Sequence, residues 1–292
     1  MTSMAIHEEN GLPGKFADVG FPSLDGTPLR ARFRTVKDPR ATLVISHGLG
    51  EHGGSYRRTS DDLGDALGID VLAFDYRGSG RSAGKRGVVR HYSDLSLDLA
   101  AAIDWAKRER PGLPVFLLAH SNGGLVALRT LLDGDFGLAG LVVSNPPLRL
   151  SAKVPSWKRL VGEILLRVAP GVTLPTGLTN DQLTRDPDVI AEIAADRLRH
   201  GRISPPLFFG MAEAGPEVLD RAAEIRLPIL MILGGSDPII DPEAGRLFFD
   251  KLSSEDKTLQ FYPNMRHEPL NELGREQVVA DVVKWFEERL GR

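Results

Sequence analysis

Six short apolar runs recur along the chain: ATLVIS (41–46), IDVLAF (69–74), VFLLA (115–119), LVVS (141–144), ILMIL (229–233) and KTLQFY (257–262). Continuous runs of this kind mark strands covered on both faces. Between them, apolar residues repeat at helical spacing. In SDLSLDLAAAIDWAKRER, Leu95, Leu99, Ala102, Ile103 and Ala106 share one face behind Ser93, a serine suited to cap the helix. Another helical segment runs from Arg57 to Leu67, and Val279, Val282, Val283, Phe286 and Leu290 keep the same period near the end. Residues 14–35 read instead as a β-hairpin, with FADVGF and LRARFR flanking a turn at Asp25-Gly26. The alternation predicts an α/β chain: a mostly parallel central sheet with helices on both faces.

Residues 147–220 break this rhythm. They contain no convincing strand, carry Pro147, Pro155 and Pro170 beside predicted boundaries, and show several short helical patterns. A helical insertion after the sixth strand reads as a cap over a site, leaving 1–146 and 221–292 as the core. In VPSWKRLVGEILLRVAP, Trp157, Leu160, Val161, Ile164, Leu165 and Val168 form one apolar stripe opposite Lys158, Arg159, Glu163 and Arg167. This stripe is expected in the interior of the cap rather than in a membrane.

Composition narrows the function. A net charge of −3 over 292 residues supplies no basic field for nucleic acid. The chain has no cysteine, which excludes disulfides, thiolate catalysis and cysteine-bound metal. The N-terminal stretch carries His7, Glu8 and Glu9 where a signal peptide needs apolar residues, and no apolar run approaches the roughly 18 residues of a membrane span. A cytoplasmic protein is expected.

The chemistry centres on LLAHSNGGL (117–125). A strand ending at Ala119 and a helix opening near Asn122 put Ser121 on a sharp corner, where the residues two before and two after must be small. Ala119 and Gly123 are. A serine hydroxyl needs a base, and histidine serves near neutral pH. His120 is adjacent and faces elsewhere, His47 and His52 belong to an early loop, and His7, His91 and His200 occupy polar, weakly specified places. His267 follows the last strand, where a loop can return it to Ser121. Asp237 ends another strand and can orient that imidazole, whereas Asp241 better suits a cap for the helix opening at Pro242. An oxyanion would find donors in the Asn122 N–H and in the Leu49 N–H of ISHGLGEHGGSY (45–56), whose Gly48 and Gly50 allow close backbone approach. That loop lacks the lysine of a phosphate-binding loop, and the dinucleotide pattern is absent. Acid–base and covalent chemistry suffice here, so no metal or organic cofactor is expected.

The segments SHGLGEHGGSY (46–56), FDYRGSGRSAGKRG (74–87), AHSNGG (119–124), GGSDPII (234–240) and RHEPLNE (266–272), in that order, resemble the monoacylglycerol lipase and lysophospholipase group of serine α/β-hydrolases. The resemblance implies the α/β-hydrolase fold with its helical cap, a Ser121–Asp237–His267 triad, an oxyanion hole at Leu49 and Asn122, and an apolar acyl channel beneath the cap. It implies cleavage of monoacyl lipid esters, monoacylglycerol to fatty acid and glycerol. The alternatives are a lysophospholipase or short- to medium-chain carboxylesterase and, further off, a peptidase or a non-catalytic receptor. Members acting on monoglycerides commonly carry Arg-Tyr where this chain has Ser55-Tyr56, and Ile193 takes a cap position where a polar tyrosine would stand; Glu51 remains as a polar group. Substrate contacts are accordingly expected from His47, Gly48, Glu51, His120, Trp157, Leu160, Ile164 and Ile193. Asp75 and Arg77 are expected to organise a loop, and the cap is expected to meet lipid surfaces peripherally.

Overall fold

The opening hairpin pairs β1 (Phe16–Pro22) with β2 (Pro28–Arg34) antiparallel. Its turn depends on Gly26, at φ +86°, beside Asp25, whose carboxylate accepts the Thr27 N–H. The computed structural model describes residues 16–151 and 155–291, so the start of the expected hairpin and the segment holding His7, Glu8 and Glu9 lie outside the described residues.

From there strands and helices alternate: β3 (Thr42–Ser46), α1 (Arg57–Leu67), β4 (Asp70–Asp75), α2 (Asp94–Glu109), β5 (Val115–His120), α3 (Ser121–Leu131) and β6 (Gly140–Ser144). An insertion follows, with α4 (Ser156–Val168), β7 (Leu174–Pro175), α5 (Asn180–Leu183), α6 (Pro187–Ala195), β8 (Arg202–Ile203) and α7 (Pro205–Asp220). The chain closes with β9 (Ile229–Gly234), α8 (Pro242–Lys251), β10 (Lys257–Tyr262) and α9 (Arg275–Leu290).

The main sheet runs β1-β2-β4-β3-β5-β6-β9-β10, parallel from β4 to β10, with β2 opposed to both neighbours. Strand pleating divides the apolar residues between two cores. Leu43, Ile45, Phe116, Leu118, Leu230 and Ile232 meet Leu63 and Leu67 of α1 and Val278, Val282 and Phe286 of α9. Val44, Leu117, Ala119, Met231 and Leu233 meet Leu99 of α2, Leu125 and Leu128 of α3, Val218 of α7 and Phe248 of α8. Such double coverage is why the sequence runs lack polar alternation. KTLQFY differs, because β10 is the sheet edge and all six of its residues are only half-buried.

The order reverses at β3, whose chain first goes to β4 on one side while β5 pairs on the other. Loops leaving β3 and β5 therefore separate at their C-terminal ends and open a crevice, the usual ligand position in such sheets.

Three expectations change. Ser93 stands before α2 but makes no capping bond: at φ −62° it is already helical, and Asp94 instead accepts the N–H groups of Arg90 and His91. The insertion does contain strands, although β7 and β8 pair over only two residues each, too few to leave a periodic signal. The α4 stripe is not interior: Trp157, Leu160 and Ile164 are 65%, 59% and 50% exposed. Contact with α7 forms instead at Gly162, where Phe209 leaves little room for a side chain. Elsewhere α7 carries Leu207, Ala214 and Val218 into the core beside α3. Among the described residues no helix is long and apolar enough to cross a membrane.

Candidate active site

β5 ends at His120 and α3 begins at Ser121, one residue earlier than the pattern suggested. Reversing the chain in so short a space forces Ser121 to φ +51°, a left-handed conformation that costs a non-glycine residue on the order of 1–3 kcal/mol. The helix then presses on β3: a Cβ built on Gly123 would lie 2.4 Å from the His47 carbonyl oxygen and 2.5 Å from that of Ser46. A buried Ser46 hydroxyl, bridging the Gly123 carbonyl and Tyr76, fastens the contact.

His267 Nε2 lies 2.8 Å from Ser121 Oγ, and its Nδ1 lies 2.6 Å from Asp237 Oδ2. The carboxylate fixes the tautomer: Nδ1 donates to it, leaving Nε2 to accept from the serine hydroxyl. Asp237 is itself pinned, its Oδ1 accepting the N–H groups of Ile239 and Ile240. Burial works against a charged His267, but the Asp237 charge and hydrogen bond outweigh it and raise the imidazole above its ordinary value. Asp241 caps α8 by accepting the Glu243 N–H and plays no part in this chain of contacts. Residues Ser121, Asp237 and His267, scattered in sequence, are thus brought together.

The loop after β3 approaches the same hydroxyl. Gly48 is so near that a Cβ on it would meet Ser121 Cβ at 3.1 Å. Its own N–H is committed to Glu51 Oε2 at 2.7 Å, so the next backbone donor along the turn is that of Leu49. Asn122, second residue of α3, has an N–H without a partner in its helix, and its side chain is anchored by the Tyr92 hydroxyl. Asp75 braces the loop's exit by accepting the Gly53 and Arg81 N–H groups, and Arg77 pairs with Asp98 and Asp25, the loop-building roles expected of them.

A cavity of about 360 Å³ opens over Ser121, Asn122 and His267, walled by Leu49, Pro147, Leu150, Leu178, Leu183, Met211, Ile239 and Ile240. Of the expected substrate contacts, Gly48, Glu51, His120 and Ile193 line it. Trp157, Leu160 and Ile164 do not, because α4 turns that stripe outward. His47 does not either; its ring points under the loop, where Nε2 accepts the Tyr76 N–H and Nδ1 donates to the Gly48 carbonyl. Burial holds that ring below its usual pKa. His120 is also buried, 5.1 Å from the His267 ring, and desolvation with the neighbouring imidazole pushes it down to about 3.

Glu51 spends its carboxylate on structure: beyond Gly48 it accepts the Tyr56 hydroxyl and pairs with Arg199. Burial opposes its charge, yet the Arg199 cation and these hydrogen bonds hold its pKa down to about 2. Glu51, His120 and Glu268 offer ligand atoms within 4.8 Å of one another, the arrangement among the described residues best suited to a cation; the Arg199 guanidinium already bonds both carboxylates there. Arg199, Glu268 and Asn145 were missed in the sequence. Asn145, buried at φ +45°, joins the end of β6 to the end of β9 and to the histidine loop by donating to the His267 carbonyl at 2.7 Å and accepting the Gly234 N–H. Its only signal was a polar residue directly after an apolar strand, in SNPP.

Residues 37–274 match the family model described as Serine aminopeptidase, S33. A monoacylglycerol lipase of Mycolicibacterium smegmatis is 33% identical over 252 residues, 85% of this chain and 89% of that protein. Phospholipase YtpA of Bacillus subtilis is 30% identical over 242 residues, 82% and 92% of the two chains. The crystal structure of Paleococcus ferrophilus monoacylglycerol lipase superposes with a TM-score of 0.77 at 30% identity, covering 93% of this chain and 98% of that one.

The crowding at Gly123 has a measurable consequence. Gly123→Ala is expected to destabilise the fold by about 1–3 kcal/mol, the usual range for overpacking, in urea denaturation. Gly134→Ala, at an open position, is expected to leave the midpoint in place.

Proposed function

The chain belongs to the serine aminopeptidase S33 family of α/β-hydrolases, and on that footing we propose that it cleaves the carboxylic ester of monoacyl lipids, monoacylglycerol foremost, through an acyl-enzyme on Ser121. The observation that carries this reading is the continuous hydrogen-bonded line Ser121–His267–Asp237 under an apolar-walled cavity. Residues 147–220 act as the cap in this reading, rooted on the core by α7.

In the proposed reaction the acyl chain lies along Leu150, Leu178, Ile193 and Met211 with its carbonyl over Ser121. The hydroxyl attacks as His267 Nε2 takes its proton, and Asp237 stabilises the imidazolium. Negative charge on the carbonyl oxygen is met by the N–H groups of Leu49 and Asn122, donors already fixed by the loop and the helix. His267 then protonates the departing alcohol, and water follows the same route to release the fatty acid. No metal or organic cofactor enters these steps.

A lysophospholipid is the second reading for the leaving group, favoured by the likeness to the Bacillus subtilis phospholipase. Delivery of either amphiphile is assigned to α4, whose exposed Trp157, Leu160, Ile164 and Val168 form an apolar face suited to a lipid surface.

Fluorophosphonate labelling should require Ser121 and vanish in Ser121→Ala, with hydrolysis reduced roughly 10⁴-fold or more. Across monoacylglycerol, lysophosphatidylcholine, p-nitrophenyl butyrate and an aminoacyl-arylamide, kcat/KM is expected to be highest for monoacylglycerol; preference for the arylamide would reject the lipid assignment. Because His267 acts as a base only when neutral and its pKa is raised, kcat/KM should fall as pH drops through a value above 6.5. Trp157→Ser combined with Ile164→Ser should weaken vesicle flotation and turnover of aggregated lipid while sparing the soluble butyrate; unchanged flotation would reject the surface role.

A further inference from the structure

The segment between α6 and β8 is fastened to the loop after β3 residue by residue. Asp196 Oδ2 lies 2.7 Å from His52 Nε2, Arg199 pairs with Glu51, and the His200 N–H donates to the Gly50 carbonyl at 2.9 Å. Contact is tight enough that a Cβ on Gly50, itself at φ +74°, would stand 2.0 Å from the His200 carbonyl oxygen. Three consecutive loop residues are therefore held by one short stretch of the insertion. Arg199 also reaches the other side of the site: the same Nη2 that bonds Glu51 donates to Glu268 Oε1 at 2.9 Å, and Glu268 directly follows His267.

All three charges are buried, with side chains of Arg199, Glu51 and Glu268 at 10%, 6% and 3% exposure. Two carboxylates brought together in such a place repel each other, and a cation between them offsets that repulsion. Glu51 in turn holds the Gly48 N–H, and with it the turn that presents Leu49. A line of contacts thus runs from Arg199 through Glu51 to the proposed oxyanion donor, and another through Glu268 to the proposed base.

We propose that Arg199 is a positioning residue: by bonding Glu51 and Glu268 together it sets the separation of the oxyanion loop from the histidine loop, so that the insertion completes the hydrolytic site besides covering it. This rests on the ester-hydrolase reading. Arg199 touches neither Ser121 nor the reacting atoms; it acts through its two partners. Removing the cation loosens the Gly48–Glu51 turn and leaves the negative charges of Glu51 and Glu268 uncompensated near His267. That ring already faces Asp237, Glu268, Glu51 and the neutral His120.

The test compares full-length wild type with Arg199→Met, Arg199→Gln and Arg199→Lys on p-nitrophenyl butyrate, with fold checked by circular dichroism. Arg199→Met should lower kcat roughly 10²-fold, the scale of an ångström-level misplacement, with a much smaller change in KM. Its acid limb should move to higher pH as the unopposed carboxylates favour protonated His267. Arg199→Lys should recover most of kcat and return the limb, because both bonds come from a single nitrogen that an ammonium can replace. Should the methionine variant not fold, Arg199→Gln serves as the neutral variant, with the same loss and the same rescue by lysine expected. A folded neutral variant with wild-type kcat and an unmoved acid limb would overturn the proposal. Wild type that neither hydrolyses esters nor labels with fluorophosphonate would overturn the hydrolase reading itself, a separate outcome.

Discussion

Ser121 is held at φ +51° because β5 must turn into α3 within a single residue, and everything near the site adjusts to that turn. The helix can start there only if Gly123 lies flat against the end of β3, and the β3 loop can pass over the hydroxyl only if Gly48 lies against the serine. Two glycines and one strained serine thereby fix where two backbone donors and one oxygen stand relative to each other. Because the strain is stored in a corner built by two buried strands, packing of the sheet rather than local preference sustains it.

Around this corner the structure solves a problem of buried charge. Asp237 is hydrogen-bonded by His267 and two backbone N–H groups, while Glu51 and Glu268 share Arg199. Each carboxylate is satisfied by a partner from a distant part of the chain, so electrostatics and loop geometry are one constraint. Asn145 adds an uncharged stitch of the same kind between β6, β9 and the histidine loop.

Much of the fold was legible because buried parallel strands have a simple signature, and the ends of those runs located Ser121, Asp237 and His267 on one edge of the sheet. The small residues at 119 and 123 and the glycines of the early loop were readable for the same steric reason. Other features had no local signal. Arg199 lies in the polar stretch DRLRHGR, and its partner Glu51 is 148 residues away. The stripe on α4 is visible as a period, but a period does not say which neighbour covers it, and here its neighbour touches at Gly162. His47 is expected at the substrate, whereas the chain leaving β3 points its ring beneath the loop.

His120 shows what desolvation does to a neighbour of the base. An imidazole stands 5.1 Å from His267, yet burial and that neighbouring ring push its pKa down to about 3. At neutral pH the pocket thus holds two rings of identical chemistry, one basic and one inert. In the proposed mechanism proton traffic therefore has a single stop: a proton taken by His267 is not relayed sideways to His120 before the departing group collects it.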